Sequence, residues 1–346
     1  MKQTAVIVAP GRGTYNKTEL GYLGRYHADK ISIVKEFDDQ RLALGQETIV
    51  SLDGADRFSG PKHTNGENAS PLIYSCAYAD FLSIDREKFE ILAVTGNSMG
   101  WYIALACGGA LEPHAGMNVV NTMGTLMQNE LIGGQIIYPF VNENWVEIPG
   151  TRNQIIEKVN EIDVLTDHRL AISIELGGML VLAGNEAGLA MFEKSMPRIE
   201  KRFPMRLPNH AAFHTDLQIP VAKKGREKLD LALFQQPRLP LIDGRGFIWY
   251  PYCNSISDLY EYTLNSQVVK RYNFTGAIRT AAREFMPDVF IVLGPGNTLG
   301  GAVAQSLIQA NWRGMNNKAE FQQRQAEKPL LISMGLTEQR GLVIEI

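Results

Sequence analysis

Hydrophobic positions fall along this chain in two rhythms. Three short stretches are apolar with almost no alternation: TAVIVA at 4–9, FEILAVT at 89–95 and VFIVL at 289–293. Short apolar runs of this kind, rich in β-branched residues, predict strands buried on both faces, as in a parallel sheet covered by helices. Each ends in a glycine-bearing turn: Pro10-Gly11, Gly96-Asn97-Ser98-Met99-Gly100, and GPGNTLGG at 294–301. Between them apolar residues recur at helical spacing. Residues 71–81 predict a helix with Pro71 in its first turn, and in 116–128 Met117, Val120, Met123 or Gly124, and Met127 fall on neighbouring turns. Residues 219–234, 264–285 and the stretch from Ala302 also read as helices. LPLIDGRG at 239–246 reads as a short strand and turn, and the polar stretch 52–70 as loop.

The second rhythm occupies residues 129–208. Residues 134–141 predict a strand, and 151–162 an amphipathic helix with Thr151 as N-cap. LAISIEL at 170–176 and MLVLA at 179–183 predict strands joined by Gly177-Gly178, a hairpin turn. A helix over 185–196 and an edge strand over 202–207 complete a β-α-β-β-α-β order, the ferredoxin-like pattern. The expected fold is therefore α/β: a hydrolase-like core with a parallel sheet and a nucleophile elbow. Residues 1–128 and 206–346 form that core, and 129–205 an inserted ferredoxin-like α+β subdomain.

Composition narrows the function. The formal charge of −3, without a cluster of Lys or Arg, argues against a nucleic-acid partner. No apolar run reaches membrane-spanning length. Cys76, Cys107 and Cys253 are odd in number and far apart, the pattern of reduced thiols. The opening MKQTAVIVAPGRG has neither the apolar core nor the cleavage site of a signal peptide. A cytoplasmic protein is expected.

The turn at 96–100 carries the chemistry. GNSMG fits the GxSxG elbow, in which a sharp turn lifts a serine above the strand end and the glycines let strand and helix approach. The bare pattern also fits an ordinary tight turn; the strand before and the small-residue helix after give it weight. The Met99 amide, near that helix's N-terminus, is suited to donate to an oxyanion. A serine nucleophile needs a base. His27, His63, His114 and His168 lie in polar stretches and read as surface residues, whereas His210 and His214 sit in PNHAAFHTDL just after the insertion. No acidic or cysteine partner completes a metal set with that pair, so no metal is expected and His214 is the candidate base, against a packed junction histidine.

Several segments, in order along nearly the whole chain, resemble the malonyl-CoA:acyl carrier protein transacylase family, the acyltransferase domains of fatty acid and polyketide synthesis. APGRGTY at 9–15 is similar to the family's PGQGSQ loop, TGNSMGWYIALACGGAL to its GHSxGE elbow, and AAFHTDL to its AFHSxxM segment. VLGPGNTLGG resembles its ExGPGxxLxxL turn, and LNSQVVKRYNF its LxxPVxW segment. The resemblance implies a ping-pong transfer without a cofactor. Ser98 attacks an acyl-CoA with His214 as base, and the 4′-phosphopantetheine thiol of acyl carrier protein collects the acyl group. It further implies an oxyanion hole of the Met99 and Arg12 backbone amides. The carbonyl orienting His214 would come from Asp243 or Gly244 in the segment matching PLIDG; a turn-forming Asp243 is the plain alternative. A monomer or dimer is expected.

The departures concern the acyl group. Where malonyl-selective relatives carry an arginine that pairs with the free carboxylate, this chain has Met123, so a neutral acyl group, acetyl or longer, is expected. Arg12, in place of glutamine, is the nearest alternative cation. Asn97, Trp101 and Ser70 also differ from the family and, with Met123, are the candidate acyl-pocket residues. Trp101 either makes that pocket more apolar or packs the first helical turn. An acyl hydrolase with the same Ser/His pair and an inactive carrier-protein-binding module are the competing readings.

Overall fold

In the computed structural model, which describes residues 2–344, the unalternating runs become strands of one sheet. In chain order the strands are β1 (Gln3–Ala9), β2 (Phe89–Gly96), β3 (Gly134–Pro139), β4 (Leu170–Leu176), β5 (Met179–Gly184) and β6 (Met205–Arg206). They continue as β7 (Leu241–Ile242), β8 (Ile248–Trp249), β9 (Tyr272–Asn273), β10 (Val289–Val292) and β11 (Leu331–Ser333). The core sheet runs β11-β10-β1-β2-β7-β8, parallel throughout except for the final β7–β8 hairpin. Ala5 to Ala9 have no exposure at all, which is why this stretch carries no polar face. Register places Ala9 opposite Gly96, so the loop after β1 and the turn after β2 emerge side by side.

The second sheet runs β6-β3-β5-β4-β9. Its first four strands and the helices Thr151–Asp163 and Glu186–Ser195 give the ferredoxin-like order, with the β4–β5 hairpin turning at Gly177, whose φ is +61°. The edge strand expected over 202–207 shortens to Met205–Arg206, paired only with β3. β9 comes from the core part of the chain and pairs parallel with β4, tying the two sheets together.

Several local expectations are corrected. Pro71 lies inside the helix Gly66–Leu82, whose N-cap is Asn65, not in its first turn. A proline there leaves the carbonyl four residues back without its helical donor. That carbonyl, of Glu67, instead accepts from Arg41 Nη1 at 2.8 Å. The stretch 52–70 is partly helical, with Gly60–His63 and the start of Gly66–Leu82 within it. Thr151 is the first helical residue rather than the cap; Gly150, at φ +79°, takes the cap position. His27 and His63 are buried rather than at the surface. His27 Nε2 lies 2.8 Å from Asp80, which also accepts from Arg340 at 2.6 Å, while His63 bonds the Leu52 carbonyl. Both polar stretches are polar because they hold buried networks. Finally, residues 264–285 do not form one helix. A π-helical turn (Tyr262–Ser266) and a short helix (Gln267–Val269) end at Lys270, β9 follows, and a new helix spans Phe274–Glu284. Among the described residues no helix is long and apolar enough to cross a membrane.

Candidate active site

β2 delivers Ser98 through a turn that only glycines permit. A Cβ on Gly96 would collide with the Gly100 carbonyl, and one on Gly100 with the Ala9 carbonyl. The Asn97 amide bonds the Ala9 carbonyl at 3.1 Å, fastening the turn to the end of β1. Ser98 itself sits at φ +55°, the left-handed region that costs a non-glycine residue about 1–2 kcal/mol. The helix Gly100–Cys107 then begins, buried at every residue, with the Met99 amide at its positive end.

The structure brings His214 to this serine across 116 residues of sequence: Nε2 lies 2.8 Å from Ser98 Oγ. The other ring nitrogen, Nδ1, lies 2.6 Å from the Gln267 carbonyl, and the His214 amide bonds the Val268 carbonyl at 3.0 Å. A carbonyl only accepts, so Nδ1 carries the proton, and in the neutral ring Nε2 presents its lone pair to the serine hydroxyl. Burial pushes the imidazole down to about 4, partly offset by the Gln267 carbonyl, so the ring is neutral at pH 7. Like Ser98, His214 holds a positive φ, +58°.

The orienting carbonyl is thus Gln267, not Asp243 or Gly244. Those two are committed elsewhere. The Asp243 carboxylate accepts from Arg245 Nη2 at 2.6 Å and Trp249 Nε1 at 3.1 Å, closing the β7–β8 turn. The Gly244 carbonyl accepts the Asn273 amide at 2.6 Å. Gln267 is available because the helix stops just beyond it; were the helix unbroken, its carbonyl would bond the amide four residues on. Its side chain adds a second tie, with Nε2 donating to the Ser98 carbonyl at 3.0 Å and Oε1 accepting from Tyr102 at 3.1 Å. Sequence reasoning missed this residue. Its only trace was a glutamine amid apolar positions of a helix read as continuous.

Ser98 opens on two spaces. One is a narrow slot of about 20 Å³, room for about one water, walled by Ser70, Met99, Tyr102, Val120, Met123 and Met127 among others. The other is a cleft of about 330 Å³ between the sheets, walled largely by apolar side chains such as Ile137, Ile174, Val181 and Leu299. Ser70 and Met123 lie in the slot, while Asn97 faces the cleft, its Oδ1 buried without a partner. Trp101 lines neither. Its indole packs edge-on against Tyr262 at 5.4 Å and donates to Thr263 Oγ1 at 3.0 Å, so it belongs to the core.

Arg12 lines both spaces. Its Nη2 donates to the Thr64 and Asn209 carbonyls at 2.9 and 3.0 Å, and its guanidinium lies 5.6 Å from the Phe213 ring centre. Burial pushes its pKa down to about 10, leaving it a cation at neutral pH. His210 does not join His214 in a metal site. Its Nδ1 donates to the Pro208 carbonyl at 2.8 Å, and among the described residues no cluster of three or more His, Cys, Asp or Glu could hold a metal ion.

No family model matches the chain. It is 25% identical over 241 residues to the malonyl CoA-acyl carrier protein transacylase of Bacillus subtilis (strain 168), covering 68% of this chain and 71% of that protein. Among solved structures it matches the malonyl-CoA:acyl carrier protein transacylase of Xanthomonas oryzae pv. oryzae with a TM-score of 0.75, 15% identity and all of both chains covered. It also matches a malonyl-transacylase in complex with its type II PKS acyl carrier protein, with a TM-score of 0.71 and 17% identity over 95% of this chain and 99% of that one. The chain thus shares its fold end to end with a malonyl-CoA:acyl carrier protein transacylase, and its sequence is similar to another such protein over 68% of its length.

Proposed function

We propose that this chain carries an acyl group from a coenzyme A thioester, through an ester on Ser98, to the phosphopantetheine thiol of an acyl carrier protein. The observation that carries this reading is the relay from Ser98 Oγ to His214 Nε2 at 2.8 Å and from His214 Nδ1 to the Gln267 carbonyl at 2.6 Å. In the first half-reaction the hydroxyl proton passes to Nε2 as Oγ bonds the thioester carbon. Negative charge gathers on the former carbonyl oxygen beside the backbone amides of Met99 and Arg12. The C–S bond then breaks, and the proton on Nε2 leaves with the coenzyme A sulfur.

In the second half-reaction the carrier's thiol gives its proton to Nε2 and its sulfur attacks the ester carbon. Ser98 Oγ departs and takes that proton back. The balance closes within Ser98, His214 and the two thiols. The larger, mostly apolar cleft suits the pantetheine arm, and the narrow slot suits a short acyl group. The named activity of the Bacillus subtilis relative and the carrier-protein complex among the fold matches support the same assignment.

Intact-mass measurement of the protein after exposure to a panel of short acyl-CoAs tests it. A mass gain equal to the acyl group is expected in wild type, absent in Ser98→Ala and slowed by several orders of magnitude in His214→Ala. Holo acyl carrier protein should discharge the adduct faster than water does. A full-yield adduct in Ser98→Ala refutes the assignment, and discharge equally fast into water makes the protein a hydrolase.

A further inference from the structure

Met123 by itself predicts a neutral acyl group, because a thioether cannot neutralise a carboxylate. The same slot, however, has a cation in another wall. Arg12 lines it from the loop after β1, together with Met123 of the helix Pro113–Glu130. Among the described residues no Asp or Glu forms an ion pair with it. Its contacts are two backbone carbonyls and the face of Phe213, and its Nε–H is buried with no acceptor. The guanidinium is half-buried and has no counter-charge, so its charge is left for a ligand to pair with. Its field is felt nearby: burial and the Arg12 charge together push His210 down to about 4.

The guanidinium is also held ready. Both Nη2 contacts lead to segments that are themselves cross-linked, since Asn209 Nδ2 donates to Thr64 Oγ1 at 2.7 Å. A cation fixed in place, short of an anion and beside the nucleophile has the properties of a ligand-binding group. The slot sets the ligand's size. A space of about 20 Å³ between three flexible methionine side chains adapts to a few atoms beyond the thioester carbon, not to a long chain.

We infer that Arg12 determines acyl specificity, binding the free carboxylate of a short carboxyacyl group, of the malonyl kind, while that group is esterified to Ser98. This rests on the acyl-transfer reading and reverses the substrate expected from Met123. The Arg12 side chain selects the substrate, and its backbone amide serves the oxyanion.

The test compares single-turnover loading of malonyl-CoA and acetyl-CoA, scored by intact mass on the whole protein, as a ratio of kcat/KM values. The ratio cancels any general loss from disturbing the loop. Wild type should favour malonyl at least tenfold. Arg12→Gln should lower the ratio ten- to a hundredfold, and Arg12→Lys, which keeps the charge and loses the planar fork, should restore part of it. A wild-type ratio at or below one overturns the inference without any variant, and so does a ratio unchanged in a folded Arg12→Gln. Absence of a Ser98 adduct with either thioester instead overturns the acyl-transfer reading, so the two failures are distinguishable.

Discussion

If His214 is neutral because it is buried, acyl loading should survive acid that would silence an ordinary histidine. The imidazole is pushed from 6.5 down to about 4, and the base is lost only as pH falls through that lower value. The fraction of unprotonated ring follows directly. With a pKa of about 4 the protein keeps about nine-tenths of its pH 7 rate at pH 5, whereas an unshifted imidazole keeps about one twenty-fifth. The same shift acts on stability in the opposite sense. Between the two pKa values the unfolded chain binds a proton that the folded one refuses, so folding weakens as pH drops across that window. At pH 5 the loss is about 2 kcal/mol for this one histidine. Single-turnover acetyl loading, scored by mass from pH 5 to 8 at constant ionic strength, is the assay. Fluorescence at each pH establishes that the protein remains folded. A rate that falls more than tenfold between pH 7 and pH 5 in folded protein refutes the claim that burial keeps His214 neutral.

Two further outcomes follow from the elbow and its support. Gly96→Ala should lower unfolding stability by about 3 kcal/mol in urea titration, because its Cβ meets the backbone of Gly100 rather than a movable side chain; an unchanged midpoint contradicts the geometry. Gln267→Ala leaves the carbonyl that holds His214 but strips the bonds to Ser98 and Tyr102, so stability should fall by about 1–3 kcal/mol and loading should slow at least tenfold. A folded variant of ordinary loading rate limits that side chain to a structural role.

How far the sequence was legible depended on whether a constraint was local. Strands buried on both faces must be apolar throughout, so β1, β2 and β10 announced themselves. The elbow was legible because the collision at Gly96 and Gly100 leaves glycine as the residue that fits. The break between Val269 and Phe274 was not. Lys270, Arg271, Tyr272 and Asn273 include no proline or glycine, and what ends the helix lies far off in sequence: pairing of β9 with β4 and the bond of Tyr272 to the Gly96 carbonyl at 2.6 Å. That break exposes the Gln267 carbonyl, so its role as the acceptor that orients His214 was hidden with it. The buried histidines were misread for a related reason. Residues such as His27 sit in polar surroundings whose partners, Asp80 and Arg340, are 53 and 313 positions away.

The spacing of the relay also has a consequence for the protein's synthesis. The chain leaves the ribosome from its N-terminus, so Ser98 is made first, His214 after 116 more residues, and the Gln267 carbonyl 53 residues later still. At about 5–20 residues per second, the 169 positions from Ser98 to Gln267 take about 8–34 s. For most of that interval the nucleophile has been translated while its base has not, and to the end of it the carbonyl that orients the base is still missing. On the acyl-transfer reading, a nascent chain therefore carries an inert serine, and the capacity to take an acyl group arrives only once the insertion is behind it and the core has received its later strands.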